Sequence, residues 1–248
     1  MKVSIVTACR NADRFLKHCI ESVLNQSYPD IEYIVVDGAS TDDSLLIIKN
    51  YEGRISRFIS QKDEGIYDAM NKGIALAGGD IVGILNADDF FPHPGIVKNI
   101  ISKFEESKAD AVYGDIWYVD KENISRPVRK WRSGTYRHGF FQWGWMPPHP
   151  SFYARRELFE KYGSYDLSFG SASDYELMLR FIHKHKIKTA YLPQTIVKMR
   201  TGGVSNSSLK NRLDSSRNDL RAMRRNGIVF PELAALLKPL RKLPQFLS

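Results

Sequence analysis

Short apolar runs of strand length alternate with helical patterns through the first 120 residues of this 248-residue chain, and this alternation constrains the fold most. Strand-like runs occupy 3–8, 31–37, 55–60, 80–87 and 110–119. Helical patterns occupy 14–26, 40–51, 66–77 and 94–107. Because a strand, a helix and a second strand in succession form a parallel crossover, the pattern predicts an α/β fold with a mostly parallel central sheet flanked by helices.

The pattern changes after residue 120. Residues 131–153 are rich in aromatic residues, Gly and Pro, which predicts irregular, aromatic-lined structure. A Ser-capped helix over 173–186, a strand over 187–200, a loop over 201–208 and a basic helix over 209–226 are expected to follow. We predict a domain over 1–206 with halves of about 1–118 and 119–206, and a basic helical tail over 207–248.

The net charge of +8 is concentrated near the C-terminal end of the sequence. Residues 207–248 hold nine Lys and Arg against three Asp and Glu, so about +6 of the charge lies there. A basic tail, unlike a basic face of a domain, argues against nucleic-acid binding. The two cysteines, Cys9 and Cys19, form neither a disulfide framework nor a zinc site by themselves, which fits a reducing compartment.

No segment of the sequence reads as a membrane signal. The apolar run before Arg10 is too short for a signal peptide. No run approaches the roughly 18 apolar residues of a membrane-spanning helix. We therefore expect a cytoplasmic protein that is soluble or peripheral to a membrane.

Polar residues follow three of the predicted strands, at 7–10, 37–40 and 86–89. Ligands of open α/β sheets bind beyond the carboxyl ends of the strands, so these segments are expected to form a site on one edge of the sheet. The first strand is followed by "TACRNADR", which lacks the Gly-rich pattern of a dinucleotide site, and the sequence contains no Walker A loop.

The adjacent acids Asp88 and Asp89 have two interpretations that the residues alone leave open. They could cap the helix predicted over 94–107, since unpaired carboxylates are too costly to bury. They could instead bind Mg²⁺ or Mn²⁺, which prefer oxygen ligands and commonly combine one or two carboxylates with phosphate oxygens. Asp37 is similarly open: it could bind a ribose or base, form an Asx turn in "DGAS", or do both.

Three ordered segments resemble one enzyme family. They are "SIVTACRNADRFLKHCIESVLNQSYPDIEYIVVDGASTDDS", "DEGIYDAMNKGIALAGGDIVGILNADD" and "HPSFYARRELFEKYGSYDLSFGSASDYELMLR". They resemble inverting family-2 glycosyltransferases with the GT-A fold, in particular bacterial members that build surface polysaccharides. The resemblance covers roughly 2–205. It implies a Rossmann-like GT-A sheet, a nucleotide-sugar-binding half over 1–118 and an acceptor-side half over 119–206.

The resemblance implies roles for the polar strand ends. "NADD" matches the family's D-x-D-type signature, with Asn86 in place of its first Asp; Asp88 is expected to contact ribose or metal, and Asp89 the metal. The cofactor implied is Mn²⁺ or Mg²⁺. The expected donor-binding residues are Thr7, Ala8, Arg10, Asp37, Asp63, Asn86, Ala87 and Asp88.

Asp174 in "SDYELMLR" matches the family's general base, which accepts the proton of the acceptor hydroxyl as that oxygen attacks the anomeric carbon. A cap of the helix that begins near Ser173 is the alternative role, and Glu176 is the nearest rival base. His149 is expected to contact diphosphate, acceptor or metal, or to pack structurally. Arg200 begins "RTGGVS" (200–205), which resembles a loop that closes over the diphosphate.

The implied activity is metal-dependent, inverting transfer from a nucleotide sugar, expected to be UDP-linked, to a glycan or lipid-linked acceptor of a capsule, O-antigen or exopolysaccharide. A sugar-phosphate nucleotidyltransferase and a non-catalytic glycan-binding relative are the alternatives.

Trp143 and Trp145 are expected either to stack on sugar rings or to join the core. The tail either binds the anionic inner face of the cell membrane or packs on the catalytic domain, and Pro239 and Pro244 are expected to interrupt any long helix. The oligomeric state is not predicted.

Overall fold

A computed structural model describes residues 1–202, 209–241 and 245. Within these residues eight strands form one sheet: β1 Val3–Cys9, β2 Ile31–Asp37, β3 Arg57–Ser60, β4 Ile81–Ile84, β5 Ala111–Val119, β6 Pro127–Trp131, β7 Phe152–Arg155 and β8 Thr189–Arg200. The α-helices are α1 Asp13–Leu24, α2 Ser44–Lys49, α3 Ile66–Leu76, α4 Ile96–Ser107, α5 Arg156–Tyr162, α6 Ser173–Met178, α7 Leu209–Arg225 and α8 Pro231–Leu240.

The sheet is mixed, with the strand order β3-β2-β1-β4-β7-β5-β6 and β8 paired with β5. The strands β3, β2, β1 and β4 are parallel, as the alternation of strands and helices predicts. β7 lies antiparallel between β4 and β5, β6 is antiparallel to β5, and β8 is parallel to β5. The expected α/β class is therefore confirmed, while β6 and β7 were not predicted.

Helices cover both faces of the sheet because alternate residues of each strand point to opposite sides. Ile5 belongs to one core cluster, which also contains Leu16 of α1 and Ile100 of α4. Val6 belongs to the other, which contains Met70 of α3. Ile5 and Val6 are both fully buried. Burial on both faces explains why the parallel strands are continuous apolar runs in the sequence.

The carboxyl ends of the parallel strands meet at one edge of the sheet, which we call the polar edge. In the register, Cys9 pairs with Asp37, and Asp37 pairs with Ser60. Ile84, the last residue of β4, pairs with Val6, so the chain reaches Asn86 at the same edge. The expected convergence of the three polar strand ends is therefore observed.

The C-terminal helices pack against the rest of the protein. Ala222, Met223 and Ala234 are fully buried and share a core cluster with Tyr175 of α6. Pro239 lies inside α8, in its last turn, so the expected interruption does not occur before residue 240. Pro244 lies outside the described residues. In the described part of the chain, no helix combines the length and the apolar character that crossing a membrane requires.

Candidate active site

Asp37 organises one end of the polar edge. Its carboxylate is fully buried and accepts hydrogen bonds from the Ser60 hydroxyl at 2.6 Å and from the Ser40 backbone N–H at 3.1 Å. The Ser40 hydroxyl also donates to it, so the Asx-type turn expected from "DGAS" is present. The carboxylate therefore fastens the end of β3 to the loop between β2 and α2.

Asp63 and Arg10 lie over Gly38 at this end of the edge. A Cβ at Gly38 would lie 2.2 Å from Asp63 Oδ2 and 3.4 Å from Arg10 Cβ. The Gly65 N–H donates to Asp63 Oδ1 at 3.0 Å, which fixes the carboxylate above the glycine. An acidic and a basic side chain are thus brought together where the backbone carries no side chain of its own.

Thr7 and Ala8 are buried in β1. The Thr7 hydroxyl accepts a hydrogen bond from Tyr33 at 3.2 Å and lies 3.7 Å from Cys19 Sγ. Its side chain therefore serves the core between β1, β2 and α1, and of the segment 7–10 only Arg10 is exposed.

Residues 86–89 form an acidic turn directly after β4. Asn86 Nδ2 donates to Asp89 Oδ2 at 2.9 Å, and the Asp89 N–H donates to the Asn86 carbonyl at 3.0 Å. Ala87 is buried within the turn. The N-cap of α4 is Gly95, and in the first turn the Val97 N–H donates to Gln26 Oε1 at 3.1 Å, so the interpretation of Asp88 and Asp89 as caps is wrong.

The electrostatics of the acidic turn are unfavourable for bare carboxylates. Asp89 is fully buried, and burial together with the neighbouring Asp88 raises the pKa of Asp89 well above its usual range. Burial also raises the pKa of Asp88. Asn86 Oδ1 and Asp89 Oδ1 are buried without a hydrogen-bond partner among the described residues. Buried, unpaired oxygens of this kind are costly unless a cation or a proton meets them.

Arg200, the last residue of β8, holds the acidic turn in place. The Phe90 and Lys198 backbones bond to each other in both directions, at 3.1 and 2.9 Å, which joins the turn to β8. Arg200 Nη1 donates to the Asp88 carbonyl, and Nη2 lies 2.6 Å from His18 Nδ1. The guanidinium lies between the rings of Phe15 and Phe90, at 4.7 and 4.8 Å from their centroids.

The position of Arg200 bears on its expected role. The side chain is only 6% exposed, and burial lowers its pKa. Its hydrogen bonds therefore go to the protein in this conformation. Residues 203–205 of the expected closing loop lie outside the described residues.

Asp174 lies in the first turn of α6. Its Oδ1 accepts a hydrogen bond from the Tyr175 N–H at 2.7 Å, while the N-cap residue of α6 is Ala172 and has no side-chain cap. Asp174 is partly exposed. The helix expected over 173–186 is present as α6 followed by a π-helical segment, Leu179–Lys184.

Glu176, the rival base, has a structural role. It is 1% exposed, forms an ion pair with Arg180 at 2.8 Å, and accepts a hydrogen bond from Asn226 Nδ2 at 3.2 Å. Arg180 in turn donates to the carbonyls of Tyr162, Gly163 and Ser164. The Glu176 carboxylate is therefore occupied by a buried network, unlike Asp174.

His149 and two tyrosines surround Asp174. His149 Nε2 lies 2.6 Å from the Tyr165 hydroxyl, and the Tyr67 ring lies 5.3 Å from the Tyr165 ring. Burial lowers the pKa of His149, and the nearby Asp174 opposes that shift. Burial and then Asp174 raise the pKa of Tyr67 and of Tyr165. We call these four residues the Asp174 cluster.

Tyr118 of β5 connects the acidic turn with the Asp174 cluster. Burial raises the pKa of Tyr118, the Arg129 guanidinium 4.2 Å from the centroid of its ring lowers it, and the carboxylates of Asp89 and Asp174 both raise it. Two carboxylates that are 85 positions apart in the sequence therefore act on one phenol. Tyr118 therefore lies within electrostatic range of both the acidic turn and the candidate base.

Sequence reasoning missed Tyr67, Tyr118 and His18 as residues of this site. Tyr67 lies in "DEGIYDAMNKG", where the apolar helical pattern is formed by Ile66 and Met70 and does not include Tyr67. Tyr118 lies near the end of β5, and neither residue has a sequence signal of its own. Of the pair Trp143 and Trp145, Trp145 belongs to the core and donates to the Ser133 carbonyl at 2.9 Å, whereas Trp143 is 55% exposed.

Two further observations delimit the site. Among the described residues, no group of three or more His, Cys, Asp and Glu side chains is arranged to hold a metal by itself. A surface cavity of about 540 Å³ lies elsewhere, lined by Asp110, Glu157, Tyr162 and His185 among others. Asp110 precedes β5, so this cavity is at the opposite end of that strand from Tyr118.

The sequence profile described as "Glycosyl transferase family 2" matches residues 4–163. An uncharacterised glycosyltransferase of Mycobacterium tuberculosis is 32% identical over 189 residues, which cover 72% of this chain and 68% of that protein.

Two solved structures show the same fold. S. aureus TarS 1–349 in complex with UDP has a TM-score of 0.68 at 15% identity, covering 98% of this chain and 72% of that one. The mannosyltransferase PcManGT from Pyrobaculum calidifontis, in complex with GDP-Man and Mn²⁺, has a TM-score of 0.69 at 18% identity, covering 99% and 73%. Together with the profile match over more than half of its length, these findings establish that the chain belongs to glycosyl transferase family 2.

Proposed function

We propose that this glycosyltransferase moves a sugar from a UDP-linked donor to a hydroxyl of a glycan or lipid-linked saccharide, with inversion at the anomeric carbon, in surface-polysaccharide synthesis. The observation that carries the proposal is the acidic turn beyond β4, where the buried oxygens Asn86 Oδ1 and Asp89 Oδ1 have no hydrogen-bond partner among the described residues. Tyr118 lies within electrostatic range of both Asp89 and Asp174, which supports placing the candidate base at the same site. Family membership supports this activity over the nucleotidyltransferase and non-catalytic alternatives.

In this proposal the nucleoside occupies the end of the edge formed by Arg10, Asp37 and Asp63. The bare backbone of Gly38 lets the Asp63 carboxylate lie against it beside Arg10, and we assign this acidic and basic pair to contact with the base or ribose. Asp37 acts mainly by holding the surrounding loop, because its carboxylate already accepts hydrogen bonds from Ser40 and Ser60. Thr7 and Ala8 contribute through their backbone, since both are buried.

The Gly38→Ala variant tests this end of the site. The added methyl would lie 2.2 Å from Asp63 Oδ2, so the carboxylate must move away. Because that oxygen is the end of a flexible side chain, we expect little loss of stability but roughly tenfold weaker UDP binding, as one charged hydrogen bond is lost. Titration calorimetry measures the affinity.

Gly53→Ala is the matched control for this prediction, because nothing lies within 4 Å of the position of its Cβ. It should bind UDP like the unmodified protein. Unchanged UDP affinity in Gly38→Ala would remove Asp63 from the donor site.

The acidic turn fits a hard divalent cation, Mn²⁺ or Mg²⁺. Asp88 and Asp89 offer carboxylate oxygens, and the buried oxygens Asn86 Oδ1 and Asp89 Oδ1 have no partner among the described residues. Among the described residues, no group of three acidic, His or Cys side chains is arranged to hold a metal. Diphosphate oxygens of the donor would therefore complete the coordination shell of the cation. When bound, such a cation stabilises the negative charge on the departing nucleoside diphosphate. The Mn²⁺ in the PcManGT complex supports this assignment.

Asp174 is the proposed general base. A sugar hydroxyl is a weak nucleophile, and a carboxylate beside it accepts its proton as the oxygen attacks. Asp174 is partly exposed and lies in the first turn of α6. His149 and Tyr165 form the wall beside it and orient the acceptor in this proposal. Arg200 holds the acidic turn, and pairing with phosphate would require it to leave the Asp88 carbonyl.

A thermal-shift comparison tests the donor and the metal of the proposed reaction together. The protein is heated with UDP, UDP-GlcNAc or GDP-mannose, each with Mn²⁺ or with EDTA. A ligand that binds the native state raises the melting temperature according to its concentration and affinity. We expect the UDP compounds to stabilise the protein in Mn²⁺ and much less in EDTA. Stabilisation by GDP-mannose alone would refute the UDP assignment, and equal stabilisation in EDTA would refute the metal assignment.

A further inference from the structure

The surface of α8 carries an apolar ridge that the catalytic site does not use. Five large apolar side chains from 229–240 are between 42% and 68% exposed: Val229, Phe230, Leu233, Leu236 and Leu240. From Phe230 onward they recur at intervals of three or four residues, which aligns them along one side of the helix. Contiguous exposed apolar side chains of this kind mark a binding surface more often than isolated ones do. We call these residues the α8 ridge.

The opposite side of α8 is anchored to the protein. Ala234 is fully buried, and the position of a Gly144 Cβ would lie 2.5 Å from the Lys238 backbone nitrogen. The Lys238 ammonium forms an ion pair with Asp219 at 2.6 Å and lies 3.6 Å from the centroid of the Tyr175 ring. The ridge is therefore the outward face of a well-packed helix.

An aromatic segment with an exposed tryptophan lies beside the α8 ridge. The Val229 N–H donates to Gln142 Oε1 at 2.9 Å, and the Arg241 guanidinium lies 5.7 Å from the centroid of the Phe140 ring. Trp143 of this segment is 55% exposed. Tryptophan, phenylalanine and leucine next to arginine are typical of the boundary between lipid headgroups and acyl chains.

The charge around the α8 ridge is positive. Residues 209–241 contain eight Lys and Arg against three Asp and Glu. Each of the three acids already has a basic partner, in the pairs Asp214–Arg217, Asp219–Lys238 and Glu232–Arg224. Arg225 pairs in turn with Asp166, whereas Arg241 lies beside the ridge with no acidic partner among the described residues. The charge of Arg241 is complementary to an anionic surface. A symmetric second copy would instead set two basic faces against each other, which disfavours self-association.

We propose that the α8 ridge, with Trp143, docks on an anionic lipid surface. The apolar side chains enter the interfacial region of the bilayer, and Arg241 meets the headgroups. Lys238 packs on Tyr175, which is next to Asp174, so the docked bilayer lies on the acceptor-side half of the molecule. Presentation of a lipid-linked acceptor to Asp174 rests on the proposed function; the docking itself does not.

Vesicle cosedimentation of the full chain tests the docking. Vesicles of phosphatidylcholine alone are compared with vesicles that contain about 30 mol % phosphatidylglycerol. We expect binding to the anionic vesicles and much weaker binding to neutral ones. Phe230→Glu combined with Leu236→Glu should reduce binding about tenfold or more, because two apolar contacts are lost and two negative charges are added. Both side chains are about two-thirds exposed, so the fold should tolerate the change.

Leu46→Glu is the matched control, since Leu46 of α2 is 59% exposed but lies outside the ridge. It should bind anionic vesicles like the unmodified protein. Absence of binding by the unmodified protein, or an equal loss in Leu46→Glu, would overturn the proposal. So would a concentration-dependent dimer, seen by light scattering, that the double variant dissociates without any vesicle binding. Stabilisation by UDP and Mn²⁺, measured on the same variants, keeps this outcome separate from that of the proposed function.

Discussion

Replacing Asp174 with Asn is expected to lower the rate of sugar transfer by about 10²–10⁴-fold, the usual contribution of a general base. The amide is nearly the same size, and its oxygen can still accept the Tyr175 N–H, so α6 should keep its first turn. It cannot accept the proton of the acceptor hydroxyl. UDP affinity in Mn²⁺ should stay within about twofold, because the base acts on the acceptor and not on the nucleotide.

A control variant, Glu157→Gln, separates a general base from an acid that only stabilises its helix. Glu157→Gln removes a carboxylate from the first turn of α5, outside the Asp174 cluster, and should leave transfer unchanged. If Asp174 only stabilised α6, its replacement would reduce stability by about 1 kcal/mol and activity by no more than Glu157→Gln does. Parallel measurement of transfer rate, UDP affinity and melting temperature distinguishes these outcomes. Full activity of Asp174→Asn would disprove the assignment.

Replacing Asp89 with Asn is expected to abolish the Mn²⁺-dependent part of donor binding, and transfer with it. The carboxylate is fully buried and its Oδ1 lacks a partner among the described residues, so a bound cation is its natural counter-charge. A neutral amide supplies no negative charge to that cation. Titration calorimetry with UDP in Mn²⁺ and in EDTA should show the two affinities converging in the variant.

Asp89→Asn weakens ligand binding, but without ligand it is not expected to lower the stability of the protein. Burial raises the pKa of Asp89 in the folded protein, so the ionised form is less favourable there than in the unfolded chain. Near neutral pH that difference opposes folding, and it diminishes as the pH falls. Asp89→Asn without metal should therefore be no less stable than the unmodified protein. Loss of an acid that weakens ligand binding but not stability is the signature of a functional residue.

Asp80→Asn is the matched control for Asp89. Asp80 precedes β4 at the opposite end of the strand and is exposed. Its replacement should leave the Mn²⁺ dependence of UDP binding intact. Asp88→Asn, measured in the same way, ranks the two acids as ligands. Retention of the full Mn²⁺ effect in both Asp88→Asn and Asp89→Asn would place the metal elsewhere.

The local pattern of residues predicted much of the first half of the fold. β2 lies over the predicted residues, and β1, α1, α3 and α4 begin and end within two residues of the predicted ends. Their apolar periodicity reports burial on one face or on both, and periodicity is a local property. β6 and β7 escaped prediction because each is short and owes its strand conformation to pairing, with β5 and β4.

The sequence by itself determined the family, the alternation that builds the parallel strands, and the polar residues at the carboxyl ends of those strands. Only the tertiary structure decided what each polar residue faces. It turned Thr7 inward, paired Glu176 with Arg180, placed Arg200 on the Asp88 carbonyl and brought Asp89 and Asp174 to Tyr118. The physical reason is that hydrogen bonds, ion pairs and desolvation depend on distance in space, and residues remote in the sequence acquire that distance only when the sheet assembles.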